Sequence, residues 1–265
     1  MSLIQIWDEQ GNLINIDDYG LFGLRLNIPS PSYAVTKESI PGRKGAVTLG
    51  RDLLPRPMTA EFKITSEDYD GSLVVRDEVY SLFSKGNTFY IGEEKQPNKR
   101  WLVECTEEWT PERINTHTFT TVIPLLADSG CAESVKNTLD PTLFSAQLSG
   151  TKLIKYKHNT TTFEIFNDGE KVDPRYTPLV ITYKGESSNL KIKNLTTGEE
   201  WSYTGNTTSS DVVKLEGIRS TKNGLSIFRD TNKRIITLAR GWNEFQLTGT
   251  SGSFEISFDF RFYTL

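Results

Sequence analysis

SFEISFDFRFYTL, residues 253–265, places Phe254, Ile256, Phe258, Phe260 and Phe262 on one side and Glu255, Ser257, Asp259 and Arg261 on the other. A period of two is that of a β-strand with one buried face. Five large apolar side chains, each contributing about 1.5–3 kcal/mol when buried, put this strand at the centre of a core. Upstream lie further strand signals: FEIFN (163–167), PLVITY (178–183), LKIKN (190–194), EWSY (200–203), DVVKL (211–215), LSIF (225–228) and RIITL (234–238). Residues 195–199, LTTGE, read as a hairpin loop in which Gly198 is free to take a positive φ. Evenly spaced strands with no helix between them predict an antiparallel β-sandwich.

The first half reads as short strands around one amphipathic helix. Met58, Ala60, Phe62 and Ile64 alternate with Thr59, Glu61, Lys63 and Thr65, and Trp101, Val103 and Cys105 share a parity, as do Phe119, Thr121 and Ile123. Within DGSLVVRDEVYSLFSKG (70–86), Val75, Val79, Leu82 and Phe83 fall on one helical face. This predicts a helix near 71–85. Glu67, Asp68 and Asp70 precede or begin it, and Lys85 and Gly86 close it, as the helix dipole and a left-handed cap favour. Small and polar residues at 127–150, with Asp140-Pro141, mark a boundary between domains 1–138 and 139–265. The fold class is mainly β: a β domain with one helix, then a sandwich.

Charge and composition narrow the function. The chain of 265 residues carries a formal −4. Residues 1–138 hold 14 Lys and Arg against 20 Asp and Glu, a net −6, whereas residues 139–265 hold 16 against 14, a net +2. A general nucleic-acid binder would carry a basic stripe instead. No apolar run approaches the roughly 18 residues of a membrane helix, and Met1–Gly20 lacks the pattern of a secretion signal. Cys105 and Cys131 make no disulfide framework, and Cys105 is expected as a buried thiol. His117 and His158 stand far apart without metal-ligand spacing. A carboxylate pair could serve a hydrolase, but nothing nominates one. No catalytic residue, cofactor or metal site is therefore expected, and the protein is read as a non-enzyme. Trp201, Tyr203 and Trp242 are the candidates for stacking on a sugar ring, under an alternative reading as a carbohydrate-binding module.

The stretch IPGRKGAVTLGRDLLPR (40–56) poses a separate choice. Gly42 and Gly45 flank Arg43 and Lys44, yet Ala46-Val47-Thr48 favours a strand and Pro41 opposes a helix just before it. Without a helix N-terminus behind the glycines, no row of free N–H groups faces an anion. The readings left open are a solvated turn and a protein-contact loop. The candidate contact residues are Pro41, Gly42, Arg43, Lys44, Gly45, Gly50 and Arg51.

An ordered set of motifs resembles the siphophage distal tail protein (Dit) family of phages infecting Gram-positive bacteria. In order these are Tyr19-Gly20, LNIPS (26–30), IPGRKG, Gly50-Arg51, MTAEFKIT (58–65) and the Arg76–Phe83 helix. Asn167-Asp168-Gly169, Tyr176-Thr177-Pro178-Leu179-Val180-Ile181, IKNLTTGEE (192–200) and Arg240-Gly241-Trp242-Asn243 follow. Arg240 departs from the family's usual Pro. The resemblance implies a galectin-like sandwich as the C-terminal domain and a ring of six copies at the tip of a long non-contractile tail. The implied partners are the tail tube protein and a tail-associated lysin or other baseplate protein, with DNA passing a central channel without specific binding. The implied place is the virion tail tip, assembled in the host cytoplasm, with no membrane partner and no cofactor. The loop at 40–56 is then expected to reach a neighbouring subunit.

Overall fold

The computed structural model describes residues 2–66, 69–83, 86, 88–141, 148–149 and 152–265. They form two compact units, one running to Val135 and taking in Leu265, the other spanning Lys136–Thr264. The architecture is mainly β. Among the described residues no helix is long and apolar enough to cross a membrane.

The first unit contains β1 (Ile4–Trp7), β2 (Leu13–Ile14), β3 (Leu21–Asn27), β4 (Tyr33–Ser39), β5 (Ala46–Leu53), β6 (Arg56–Thr65), α1 (Tyr69–Phe83), β7 (Phe89–Glu93), β8 (Lys99–Val103), β9 (Glu112–Arg113), β10 (Thr118–Ala127) and β11 (Ala132–Ser134). Strands β2-β1-β7-β8-β11 run side by side in one sheet, β3-β6-β10-β9 make another, and β4 and β5 pair only with each other. The alternation read at residues 58–64 is the inward face of β6, where Met58, Ala60, Phe62 and Ile64 are all buried. Strand β10 pairs along all of it, from Thr118 opposite Thr65 to Ala127 opposite Arg56. Helix α1 lays Val79 and Phe83 into the same core, with the Phe83 ring 5.5 Å from Phe62. Gly86 adopts φ +66°. The expected helix flanks Glu67, Asp68 and Lys85 lie outside the described residues.

The second unit contains β12 (Leu148–Ser149), β13 (Lys152–Leu153), β14 (Lys157–His158), β15 (Thr162–Asn167), β16 (Leu179–Asn194), β17 (Glu200–Ser202), β18 (Asn206–Thr207), β19 (Val212–Glu216), β20 (Arg219–Lys222), β21 (Leu225–Ser226) and β22 (Gly241–Phe260). Two long strands organise it. PLVITY and LKIKN, expected as separate strands, are the two arms of β16, which runs antiparallel to β22. Pairing is regular from Leu179–Phe260 to Gly185–Phe254 and again from Lys191–Thr248 to Asn194–Phe245, and it is irregular between. Irregularities of this kind let a strand pass from one sheet of a sandwich to the other. At the break Gly249 takes φ +82°, and a Cβ there would sit 2.5 Å from the Ser188 and Asn189 carbonyl oxygens. The arms then face each other across one core: Phe245 and Phe258, both on β22, have ring centroids 4.8 Å apart, and Phe163 of β15 stacks on Phe245 at 5.5 Å. Ile256, Phe258, Phe260 and Phe262 are buried as the closing pattern predicts.

RIITL forms no strand. Only Leu238 makes a bridge, to Val172, although Ile236, Thr237 and Leu238 are buried. Side chains replace the missing ladder. The Thr237 N–H donates to Glu199 Oε2 at 2.6 Å, and Asn194 Nδ2 donates to the Thr237 carbonyl at 2.9 Å. LSIF likewise contributes only Leu225–Ser226 before a 3-10 turn at Phe228–Asp230. The loop between β16 and β17 turns on Gly198 at φ +77°, with open space where a Cβ would sit. Gly198→Ala therefore isolates backbone strain, and its urea midpoint should report a loss of about 1–2 kcal/mol.

Candidate functional site

The β4–β5 ribbon is built for contact. Tyr33 pairs with Leu53 and Ser39 with Ala46, with a shift between Thr36 and Lys37 that leaves Leu49 as the extra residue. At the tip, the Arg43 N–H donates to the Ile40 carbonyl at 3.1 Å and Gly42 has φ +82°. Pro at the second and a positive-φ Gly at the third position define a type II turn, so Pro41 and Gly42 have local work to do. Gly45 repeats the positive φ at +84° before β5 begins. Gly50 and Arg51 sit within β5, opposite Thr36 and Val35.

The ribbon's exposure stands out. All seven residues of β4 are exposed, as are all of β5 except Val47 and Leu53, which are intermediate. Tyr33, Val35, Ile40 and Leu49 are 44%, 42%, 45% and 61% exposed. A lone two-stranded hairpin is marginal in water, and apolar groups left open along it call for a cover. Arg43, Lys44 and Arg51 make no ion pair among the described residues. The tip thus presents two free cations beside Ile40.

The same unit carries a cleft of the opposite sign. Its volume is about 520 Å³, and Asp8, Glu9, Asp18 and Glu78 surround a floor that includes Ile14 and Leu82. Hydrogen bonds from the side chain and then the backbone N–H of Asn12 hold the Asp8 carboxyl below its ordinary range.

The sugar-stacking residues are placed differently. Trp201 is 1% exposed, its indole N–H donating to Ser220 Oγ at 3.1 Å, and Tyr203 is 5% exposed. Neither has a ring face open to a pyranose, which corrects their expected role: both are core residues. Trp242 is half-buried, with its ring 5.0 Å from that of Phe166. Cys105 lies just past β8 and is half-buried rather than buried. Its thiol donates to the Glu107 carbonyl at 3.6 Å, and burial pushes its pKa up. His158 stacks on Phe163 at 4.5 Å and burial lowers its pKa, while His117 is exposed. These groups do not converge on one another.

The motifs of the second half do converge. Asn167, Asn194 and Asn243 are each 0% exposed, and all three bond the stretch 237–241. Asn243 Oδ1 accepts from the Ala239 N–H at 2.8 Å and from Asn194 Nδ2 at 3.2 Å, while its Nδ2 donates to the Ala239 and Gly241 carbonyls. Their role is structural. Sequence reasoning passed over Arg56, which is 4% exposed; it shares the parity of Met58, Ala60 and Phe62, and that parity was the signal.

Residues 11–127 match the family model of the phage tail protein RIFT-related domain. Among solved structures, the chain is similar to the SPP1 Dit (gp 19.1) protein, described as a paradigm of the hub adsorption apparatus in phages infecting Gram-positive hosts. That likeness has a TM-score of 0.73 at 12% identity, covering 98% of this chain and 100% of that one. It is also similar to a chain of the phage P2 baseplate in its activated conformation with Ca, with a TM-score of 0.50 at 10% identity, covering 98% and 97%. No curated protein matches the sequence. Residues 11–127 therefore match a phage tail protein RIFT-related domain, and the chain as a whole shares the fold of the SPP1 Dit protein.

Proposed function

We propose that this chain is the ring-forming hub of a long non-contractile tail tip, present in six copies and acting through its surfaces rather than through catalysis. The observation that carries this is the free-standing β4–β5 ribbon, exposed on both faces, with open apolar groups at Tyr33, Val35, Ile40 and Leu49 and cations at its end. A closed ring joins two different patches of one chain, each burying on the order of 800 Å². The basic tip and the acidic cleft of the first unit are complementary in sign, as such a pair requires. The ring would join the tail tube to a tail-associated lysin or baseplate protein. Its first domain, at −6 over residues 1–138, would line a channel past which DNA slips without sticking.

Native mass spectrometry with negative-stain imaging tests the reading. The expected result is a discrete species of six times the 30.0 kDa chain, seen as rings with a central hole. A protein that stays a monomer even when mixed with its neighbouring tail proteins would overturn it.

A further inference from the structure

We propose that the first unit holds a site for a small oxyanion, a carboxylate or a phosphate, centred on Arg56 and completed by Lys99. Arg56 opens β6, and its side chain follows that strand's inward parity, so a charged guanidinium lies where Met58 and Phe62 lie further along. It is 4% exposed, and its Nε and Nη2 have no hydrogen-bond partner. No carboxylate lies within ion-pairing distance of it among the described residues.

A buried cation with unspent donors is costly unless something pairs with it. The space for a partner is present. Arg56 lines a cavity of about 300 Å³, together with Lys99, Gln96, Ser30 and Glu93. Trp101 forms one wall, with the Arg56 Cζ 4.7 Å and the Lys99 Nζ 5.5 Å from its ring centroid. The indole lies against the guanidinium, and the unpartnered Nε–H and Nη2–H, themselves shielded from solvent, form the edge whose geometry can hold a carboxylate or phosphate in two places at once. Lys99 adds a second positive charge beside it, and its Nζ reaches the Leu265 main-chain oxygen only at 3.5 Å. Burial, and next the charge of Arg56, lower the Lys99 pKa. Glu93 and Leu265 also line the cavity.

Calorimetric titration of inorganic phosphate, and separately of succinate, into the full chain at constant ionic strength tests this. Saturable binding of one anion per chain is expected, weakened about tenfold or more in R56M, which keeps the stacking volume while removing the donors. K99Q, at the half-buried rim, should fold normally and weaken binding by several-fold, so the test survives if R56M does not fold. The source of the physiological anion follows from native mass spectra of the same samples. Phosphate that lowers the assembled mass identifies a carboxylate supplied by a second copy; phosphate that raises thermal stability at constant mass identifies a free ion. Equal binding by wild type, R56M and K99Q, or no saturable binding of either anion, overturns the proposal.

Discussion

Asn243→Ala will cost the second unit about 3–5 kcal/mol of unfolding free energy. The Asn243 carboxamide is fully buried and makes four hydrogen bonds: it accepts from the Ala239 N–H and from Asn194 Nδ2, and donates to the Ala239 and Gly241 carbonyls. Deletion strips a partner from the buried Asn194 carboxamide, from the half-buried Ala239 N–H and from the Gly241 carbonyl, at about 1–3 kcal/mol for each group left unsatisfied. The loss is large because residues 234–240 have no strand beside them and rely on side chains for their hydrogen bonds. Asn243→Asp keeps the acceptor, loses the donor and buries a charge, so it should not rescue. Asn194→Ala should cost a similar amount, and the double variant less than the sum, since the two carboxamides bond each other. Hydrogen exchange of β16 and β22 amides under mild urea reads the second unit separately. A loss under about 1 kcal/mol would show that water replaces the carboxamide at little cost.

That network also marks where sequence reading works and where it stops. Period-two patterns at Met58–Ile64 and Ile256–Phe262 and the helical face of Val79 and Phe83 translate directly, because burial of one face dictates them, whereas Phe254 is only half-buried. RIITL has the composition of a strand and is buried, yet its partners are Asn194 and Glu199 side chains, which no local period can announce. PLVITY and LKIKN read as two strands because Gly185 and Ser187–Asn189 interrupt the alternation; the chain uses that interruption to bend one strand between two sheets. At the ribbon, the turn at Pro41-Gly42 was legible from residue type, but its partner arm Tyr33–Ser39 was not, since its residues bury neither face. Trp201 and Trp242 are alike in sequence. Only the packing separates the core indole from the half-exposed one.

R43E/K44E will leave each chain folded and abolish the assembled species. The folded state has little stake in either charge, because neither side chain makes an ion pair among the described residues and the flanking Gly42 and Gly45 face open space. Exposed substitutions of this kind change stability by about 0.5 kcal/mol or less. The assembled state has a large stake. If the tip meets carboxylates on a neighbour, reversal turns two attractions into two repulsions, at several kcal/mol in total, and each 1.4 kcal/mol is about tenfold in affinity. The dissociation constant should therefore rise by about a hundredfold or more. Salt gives the sign that separates this from general damage. With a screening length of about 8 Å at physiological ionic strength, added salt weakens the wild-type contact and relieves the variant's repulsion, so the two assemblies should move in opposite directions. Light scattering across a salt series reads this, beside circular dichroism to confirm the fold. Unchanged ring mass and normal tail assembly in the variant would show that the ribbon's end faces solvent in the tail, and the contact would then have to be sought along its apolar flanks at Tyr33, Val35 and Leu49.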